Sequence, residues 1–215
     1  MPPGPRPRSA ARRAGRGLGP RSLVLALAVL AALLAGCGQS FDPTGPCTTD
    51  GSAPGAYPEL EATVPTSYRG TRPNELDSGR SCTPSGLGTL ASHGVDELRF
   101  AGGTWQTGSD SGVSLAVFTD PNGPPLEAAW VAEFYATGAR GGRNVQSVDE
   151  SDYPVREGVR GRRVDVLNGE SYQTIIVWPR DGRIAVALVA DFIREIQTKE
   201  AHDVVVRGAV EAFGS

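Results

Sequence analysis

Cysteine is the residue type with the most distinctive chemistry in this 215-residue chain, and it occurs three times, at Cys37, Cys47 and Cys82. Cys37 ends the tetrad Leu34-Ala35-Gly36-Cys37, which closes an apolar run that starts at Leu23. Six arginines and no acidic residue precede the run. A basic segment, an apolar run and small residues, in that order, are typical of a secretory signal. Because the run has only 12 residues and a spanning helix needs ~20, we expect no retained transmembrane anchor.

The tetrad resembles the lipobox of bacterial lipoproteins, with Leu34 three places before the cysteine and two small residues between them. The resemblance covers residues 1–37 and implies cleavage between Gly36 and Cys37, a diacylglyceryl group on the Cys37 thiol, and an acylated N-terminus. Two or more acyl chains anchor a protein stably, whereas one chain alone binds only marginally. An ordinary signal with a chance cysteine beyond its cut is the alternative. Arg12-Arg13 leaves twin-arginine export open beside the general route.

If lipid occupies Cys37, the other two cysteines form an even pair in an oxidising compartment, and we predict a Cys47–Cys82 disulfide. Closing this 35-residue separation contributes about 3 to 4 kcal/mol in the chain-entropy model. Two free thiols are the alternative, because Cys47 lies in a Pro/Gly-rich segment.

The sequence lacks residues suited to nucleophilic or metal-assisted catalysis. Asp110-Ser111-Gly112 faintly resembles the nucleophile segment of trypsin-like proteases, but a turn between two strands explains it equally well. His93 and His202 have no partners at zinc-site spacing, and we interpret both as exposed or capping histidines. The acids at 149, 150 and 152 lack a calcium-loop pattern and are interpreted as a solvated turn. We therefore predict no catalytic, metal or cofactor-binding residue and no cofactor.

Two charged sets leave other functions open. Three scattered acids could assemble the site of a small hydrolase: Asp149, Asp165 and Asp191. A basic cluster on a predicted strand could face an anionic ligand, although we favour a solvated strand that protects a sheet edge: Arg160, Arg162 and Arg163.

Net charge excludes one class of partner. The whole chain has 21 basic and 24 acidic residues, and removing the six signal arginines leaves 15 basic residues and a net charge of −9. Nucleic acid requires a basic surface, so we expect no nucleic-acid partner.

The predicted organisation has three parts: a signal at 1–36, a lipidated N-terminus and Pro/Gly-rich tether at 37–56, and one folded domain at 57–215. A bridged Cys47 would pin the second half of the tether to the domain. A short helix is expected after Thr83, and a central helix is expected to open at Pro124-Pro125 and end at Gly138.

Three strands near the C-terminus give the clearest pattern, over 159–167, 172–178 and 183–190. They are separated by Asn168-Gly169 and Asp181-Gly182, two dipeptides that favour type I′ hairpin turns. A helix with apolar residues at helical spacing follows them. The predicted fold class is α+β, a single, mainly antiparallel sheet with a three-stranded C-terminal meander, on which the central and C-terminal helices pack. The element order over 95–215 is similar to the Mog1/PsbP-like fold, without a shared motif.

These observations favour a lipid-anchored extracytoplasmic envelope lipoprotein, held at a bacterial cell membrane through Cys37. Its domain is expected to bind an unknown protein or small ligand without catalysis. The alternative is the membrane-anchored hydrolase built from the three scattered carboxylates.

Overall fold

Eight strands form one antiparallel sheet in the computed structural model, which describes residues 41–213. Their order across the sheet is β1-β2-β3-β4-β8-β7-β6-β5. The strand bounds are β1 Gly51–Ala53, β2 Glu75–Ser81, β3 Leu98–Gln106, β4 Gly112–Thr119, β5 Val145–Arg156, β6 Val159–Asn168, β7 Ser171–Arg180 and β8 Arg183–Phe192. The predicted signal, the lipobox and Cys37 lie outside the described residues.

Helices cover both faces of this sheet. Their bounds are α1 Pro58–Glu61, α2 Pro84–Leu87, a 3₁₀ helix Gly88–His93, α3 Ala128–Arg140, α4 Ile193–Ile196 and α5 Lys199–Glu211. Among residues 41–213, no helix combines the length and the apolar character needed to cross a membrane, since α3 and α5 have 13 residues each.

The strand sequences explain why two helical layers are needed. Successive side chains of a strand point to opposite faces, and in β8 both alternating sets are apolar. Ala185, Ala187 and Val189 pack beneath α5, on what we call the α5 face, and Ile184 and Val186 pack beneath α3, on the α3 face. A sheet that is apolar on both sides must be covered on both sides.

The predicted fold class is confirmed: one α+β domain with a mainly antiparallel sheet, a central helix and a C-terminal helix. The C-terminal meander extends one strand further than expected, because β5 pairs with β6 along most of its 12 residues. Asp149, Glu150 and Asp152, interpreted above as a solvated turn, lie within β5. As an edge strand, β5 is exposed, which makes charged residues and Pro154 compatible with strand structure.

Two local predictions differ from the structure. The central helix begins at Ala128 rather than at Pro124, since the preceding Glu127 is extended, with φ −97° and ψ 141°. It continues through Gly138 and ends at Arg140, so Gly138 does not stop it. Of the two hairpin dipeptides, only Asp181-Gly182 has positive φ at both positions, 50° and 74°. At the other turn, the Asn168 side chain accepts hydrogen bonds from the backbone N–H groups of Glu170 and Ser171, which stabilises a different turn.

The described part of the Pro/Gly-rich segment is attached to the domain. The predicted disulfide joins Cys47 to Cys82, with Cα atoms 5.3 Å apart. The buried guanidinium of Arg80 donates to four backbone carbonyls, those of residues 42, 43, 45 and 46. Asp50 accepts from the backbone N–H groups of Cys82 and Thr83. Residues from Phe41 onward are therefore held against β2.

Replacing both bridged cysteines tests this attachment. We expect Cys47→Ala/Cys82→Ala to lower the free energy of unfolding by about 3 kcal/mol, because the unfolded chain regains the freedom of a 35-residue loop. Urea unfolding of the oxidised wild type and of the double variant measures the difference. Equal unfolding midpoints would show that the bridge contributes nothing to the fold.

Candidate functional site

Two of the three scattered acids belong to one buried polar network beneath α5. His202 on α5 contacts Asp191 of β8 through Nδ1 at 2.7 Å and Thr174 of β7 through Nε2 at 2.9 Å. The Thr174 hydroxyl also lies 2.5 Å from Asp165 of β6. Asp149 lies opposite Asp165 in the β5–β6 pairing, on the exposed edge strand.

Two cations close the network at its outer end. Arg163 donates to both oxygens of Asp165, at 2.6 and 2.9 Å, and to Asp203 of α5. Lys199 donates to Asp203 at 2.7 Å and lies 3.3 Å from Asp165. The network thus joins β6, β7, β8 and α5.

Asp165 is the carboxylate that fixes the direction of the hydrogen bonds. Burial alone would raise its pKa, but hydrogen bonds from Arg163 and Thr174 and the charges of Arg163 and Lys199 outweigh burial and lower the pKa below 3.8. The pKa of Asp203 is lowered against burial in the same way, by its hydrogen bonds to Lys199 and Arg163. An ionised carboxylate only accepts hydrogen bonds, so the Thr174 hydroxyl donates to Asp165.

The direction of the hydrogen bond from Thr174 to Asp165 determines where two further protons lie. Since Thr174 gives its only proton to Asp165, Nε2 of His202 must donate to Thr174. A second proton lies between Nδ1 and Asp191, which are 2.7 Å apart. Every polar group along this row consequently has a partner.

Asp191, His202 and Thr174 are arranged like an acid, base and hydroxyl nucleophile, but the site is closed. Their exposed fractions are 2%, 0% and 0%, so no substrate reaches the hydroxyl. The Thr174 proton is already engaged by Asp165, whereas a nucleophile must give its proton to the base. This arrangement fits a structural role in positioning α5. It also overturns the interpretation of His202 as exposed or capping.

The other candidate residues have structural contacts. Ser111 donates to Glu195 at 2.6 Å, and neither histidine contacts it. His93 is part-exposed, stacks on Trp130 with ring centroids 4.8 Å apart, and pairs with Glu133 at 2.8 Å. Residues 41–213 contain no group of three or more His, Cys, Asp or Glu side chains that could hold a metal ion.

The three arginines of the predicted basic cluster lie in three different environments. Arg162 pairs with Asp152 across to β5, Arg163 enters the network beneath α5, and Arg160 is exposed. All three lie on β6, which is one strand inside the edge, so the edge itself is formed by β5.

An open cleft lies on the α3 face, between the C-terminal half of α3 and strands β5 to β8. Its volume is about 290 Å³. Strand residues and one helix residue form an apolar floor: Val145, Val166, Ile175, Leu188 and Ala139. Gly138, Gly141 and Gly142 line the helix side, where they contribute no side chain. The cleft is open because α3 is shorter than the strands that it covers. The 13 residues of α3 span about 20 Å, whereas the 10 residues of β8 span about 33 Å.

Tyr135 gives this cleft an unused hydrogen-bond donor. The side chain lines the cleft and is 4% exposed, and its hydroxyl has no hydrogen-bond partner among residues 41–213. The hydroxyl is not one of the fully buried unpaired atoms, so it is within reach of water and of a ligand in the cleft. Burial raises the pKa of Tyr135, so the phenol stays protonated and can donate. A donor that no protein group uses is available to a ligand.

Charged groups around the cleft are of one sign. Arg143 lines it, is exposed, and forms no ion pair within the described part of the chain. Among residues 41–213, no acidic residue lines the cleft. Asn168 and Gln173 add neutral polar groups. A concave apolar surface with a few polar groups is typical of a small-molecule site.

Two further clefts are weaker candidates. One of about 200 Å³ shares Leu188 with the first and contains Trp105. The other, of about 330 Å³, is lined by Trp178 and Phe213 and by charged residues of both signs, among them Arg180 and Glu211.

Sequence reasoning missed both Tyr135 and the buried network. Apolar spacing predicts an inward face with Ala129, Trp130 and Phe134, whereas the buried residues of α3 are Val131, Ala132, Tyr135 and Ala136. A signal for the cleft was present in three glycines, one in the last turn of the helix and two just beyond it, which contribute no side chain: Gly138, Gly141 and Gly142. The network had a signal too, since His202, Thr174 and Asp191 are polar residues at inward-facing positions.

No family model, curated protein or solved structure matches this chain. The resemblances to bacterial lipoproteins and to the Mog1/PsbP-like fold therefore stay predictions, and the site is interpreted from its own geometry.

Removing Arg163 tests the network beneath α5. We expect Arg163→Gln to lower the free energy of unfolding by about 2 kcal/mol at pH 7, because Asp165 and Asp203 lose three charged hydrogen bonds and keep only Lys199 as a cation partner. Both carboxyls have lowered folded-state pKa values, so their contribution is present above pH 3.8 and is lost as the pH falls through those values. The difference between wild type and variant should shrink as the pH is lowered below 3.8.

Arg162→Gln is the matched control, because Arg162 pairs with an exposed aspartate. This substitution should lower the free energy of unfolding by less than about 1 kcal/mol. Urea unfolding of the three proteins across this pH range measures both effects. Equal losses in the two variants at pH 7 would contradict the assigned role of Arg163.

Proposed function

We propose that this protein is an extracytoplasmic lipoprotein, anchored through Cys37, whose domain binds a small apolar ligand in the α3 cleft without catalysis. The observation that carries the binding proposal is the Tyr135 hydroxyl, which opens into an apolar cleft and has no partner among the described residues. The anchor rests on the lipobox resemblance.

The disulfide supports an extracytoplasmic location. Disulfides persist in oxidising compartments and are rare where thiols are kept reduced. The Cys47–Cys82 bridge holds the segment nearest the predicted anchor against the domain.

Chain length limits the distance between anchor and domain. Arg80 and the disulfide hold the chain from Phe41 onward. Phe41 follows Cys37 by four positions, and four residues of fully extended chain span at most about 14 Å. An acylated Cys37 would therefore keep the β1–β2 side of the domain close to the membrane surface.

The carboxylate hydrolase gains no support from the geometry. Asp191 is buried against His202, Asp165 is neutralised by Arg163 and Lys199, and Asp149 lies on the edge strand. We therefore place the function in the α3 cleft.

Replacing the predicted lipidated cysteine tests the anchor. We expect Cys37→Ser to carry no acyl label and either to leave the membrane or to keep its signal. Metabolic labelling with an alkyne fatty acid and fractionation of cells measure both results. Cys47→Ser/Cys82→Ser is the control and should stay labelled. A Cys37→Ser protein that remains in the membrane with its signal removed would exclude the anchor.

Filling the cleft tests the binding proposal. We expect fragments that raise the melting temperature of the wild type to have no effect on Leu188→Trp, because the larger side chain occupies the floor of the cleft. A thermal-shift screen of a fragment collection provides the measurement.

Val204→Trp is the control for this screen, since Val204 is 53% exposed on α5, on the other side of the sheet, and the variant should respond like the wild type. Fragments that stabilise Leu188→Trp as much as the wild type would place binding outside this cleft.

A further inference from the structure

The charge around the α3 cleft has the opposite sign to the net charge of the chain. The chain has more acidic than basic residues, 24 against 21. The cleft nevertheless contains Arg143 and no acidic residue. Neighbouring Arg140 is neutralised by Glu150 at 2.7 Å, whereas Arg143 has no such partner among residues 41–213. The cleft opening is therefore locally cationic.

Donors also outnumber acceptors among the side chains that remain free in the cleft. The Tyr135 hydroxyl is a protonated donor without a partner, and the Arg143 guanidinium is a donor that cannot accept. The Asn168 carbonyl oxygen already accepts two backbone N–H groups, so its NH₂ group is the part left free. Gln173 donates from its NH₂ group to Ser171, so its carbonyl oxygen is a free acceptor, against three side chains with free donors. A ligand that fits these groups must supply acceptors.

We propose that the ligand is a small amphipathic anion, with an apolar body on the cleft floor and an acidic head group at Arg143, and with an oxygen that accepts from Tyr135. This inference rests on the proposed binding function and adds the chemical class of ligand. The cleft of about 290 Å³ holds roughly ten groups the size of water, at ~30 Å³ each. A monocarboxylate with a chain of about eight carbons matches that volume.

The two polar residues have separable roles. Arg143 is exposed at the opening and selects for negative charge. Tyr135 is 96% buried and strengthens binding of any ligand that brings an oxygen acceptor, charged or neutral. Without a ligand, the Tyr135 hydroxyl has no protein partner among residues 41–213 and can bond only to water, so its removal should not destabilise the free protein.

Three probes with the same chain and different head groups test the ligand class: octanoate, 1-octanol and octylammonium. Isothermal titration calorimetry of the folded domain at neutral pH measures the affinities. We expect the wild type to bind octanoate about tenfold more tightly than octylammonium, with octanol between them, because one cation at a solvated opening attracts one probe and repels the other. Arg143→Glu should reverse the order of the charged probes.

Tyr135→Phe tests the role of Tyr135 separately from that of Arg143. We expect about fivefold weaker binding of both octanoate and octanol, the loss expected for one hydrogen bond, with the preference for the anion retained. The melting temperature of free Tyr135→Phe should be equal to or higher than that of the wild type. A lower melting temperature with unchanged affinities would assign Tyr135 to the core alone and overturn its role in binding.

The same titrations distinguish this inference from the binding proposal. If octanoate and octylammonium bind equally tightly and Leu188→Trp abolishes the binding of both, the charge selectivity is overturned and the cleft remains a binding site. Affinities that Leu188→Trp leaves unchanged, or no saturable binding by any probe, would overturn both.

Discussion

Helices and strands differ in rise per residue, and this difference determines where the domain can hold a ligand. The long helices α3 and α5 have 13 residues each, about 20 Å of helix, and they cover strands of 10 residues that span about 33 Å. Each face of the sheet is therefore longer than the main helix that covers it. On the α5 face, the remaining length is filled by Tyr57, Leu60, Val64 and Tyr68. On the α3 face, α2 and the 3₁₀ helix fill one end, and the end near Leu188 remains open.

The two faces also differ in how polar groups are used. Beneath α5, each polar side chain from Asp191 to Asp203 has a partner, and the network fixes the position of the helix on the sheet. Beneath α3, the contacts are apolar, and the Tyr135 hydroxyl at the open cleft has no partner among residues 41–213. Of these two polar features, only the open one can meet a ligand.

The sequence predicts those parts of the fold whose signals are local. Apolar spacing predicts α3 and α5, Asp181-Gly182 predicts one hairpin, and the even cysteine pair predicts the bridge. Asp149 to Asp152 do not look like a strand, because an exposed edge strand lacks apolar alternation. The network joins His202, Thr174 and Asp191 from three elements, and no single sequence gives the pairing that aligns them. Tyr135 could not be recognised because its role depends on how far α3 reaches along the sheet.

Chemical-shift mapping tests most directly the claim that ligands bind where α3 leaves the sheet uncovered. Octanoate would be titrated into the ¹⁵N-labelled domain while backbone amide signals are followed. The account predicts saturable shifts at residues 138–145, 166–175 and 188, with those of residues 199–206 in α5 unchanged. Shifts confined to α5, or spread evenly over the surface, would contradict it.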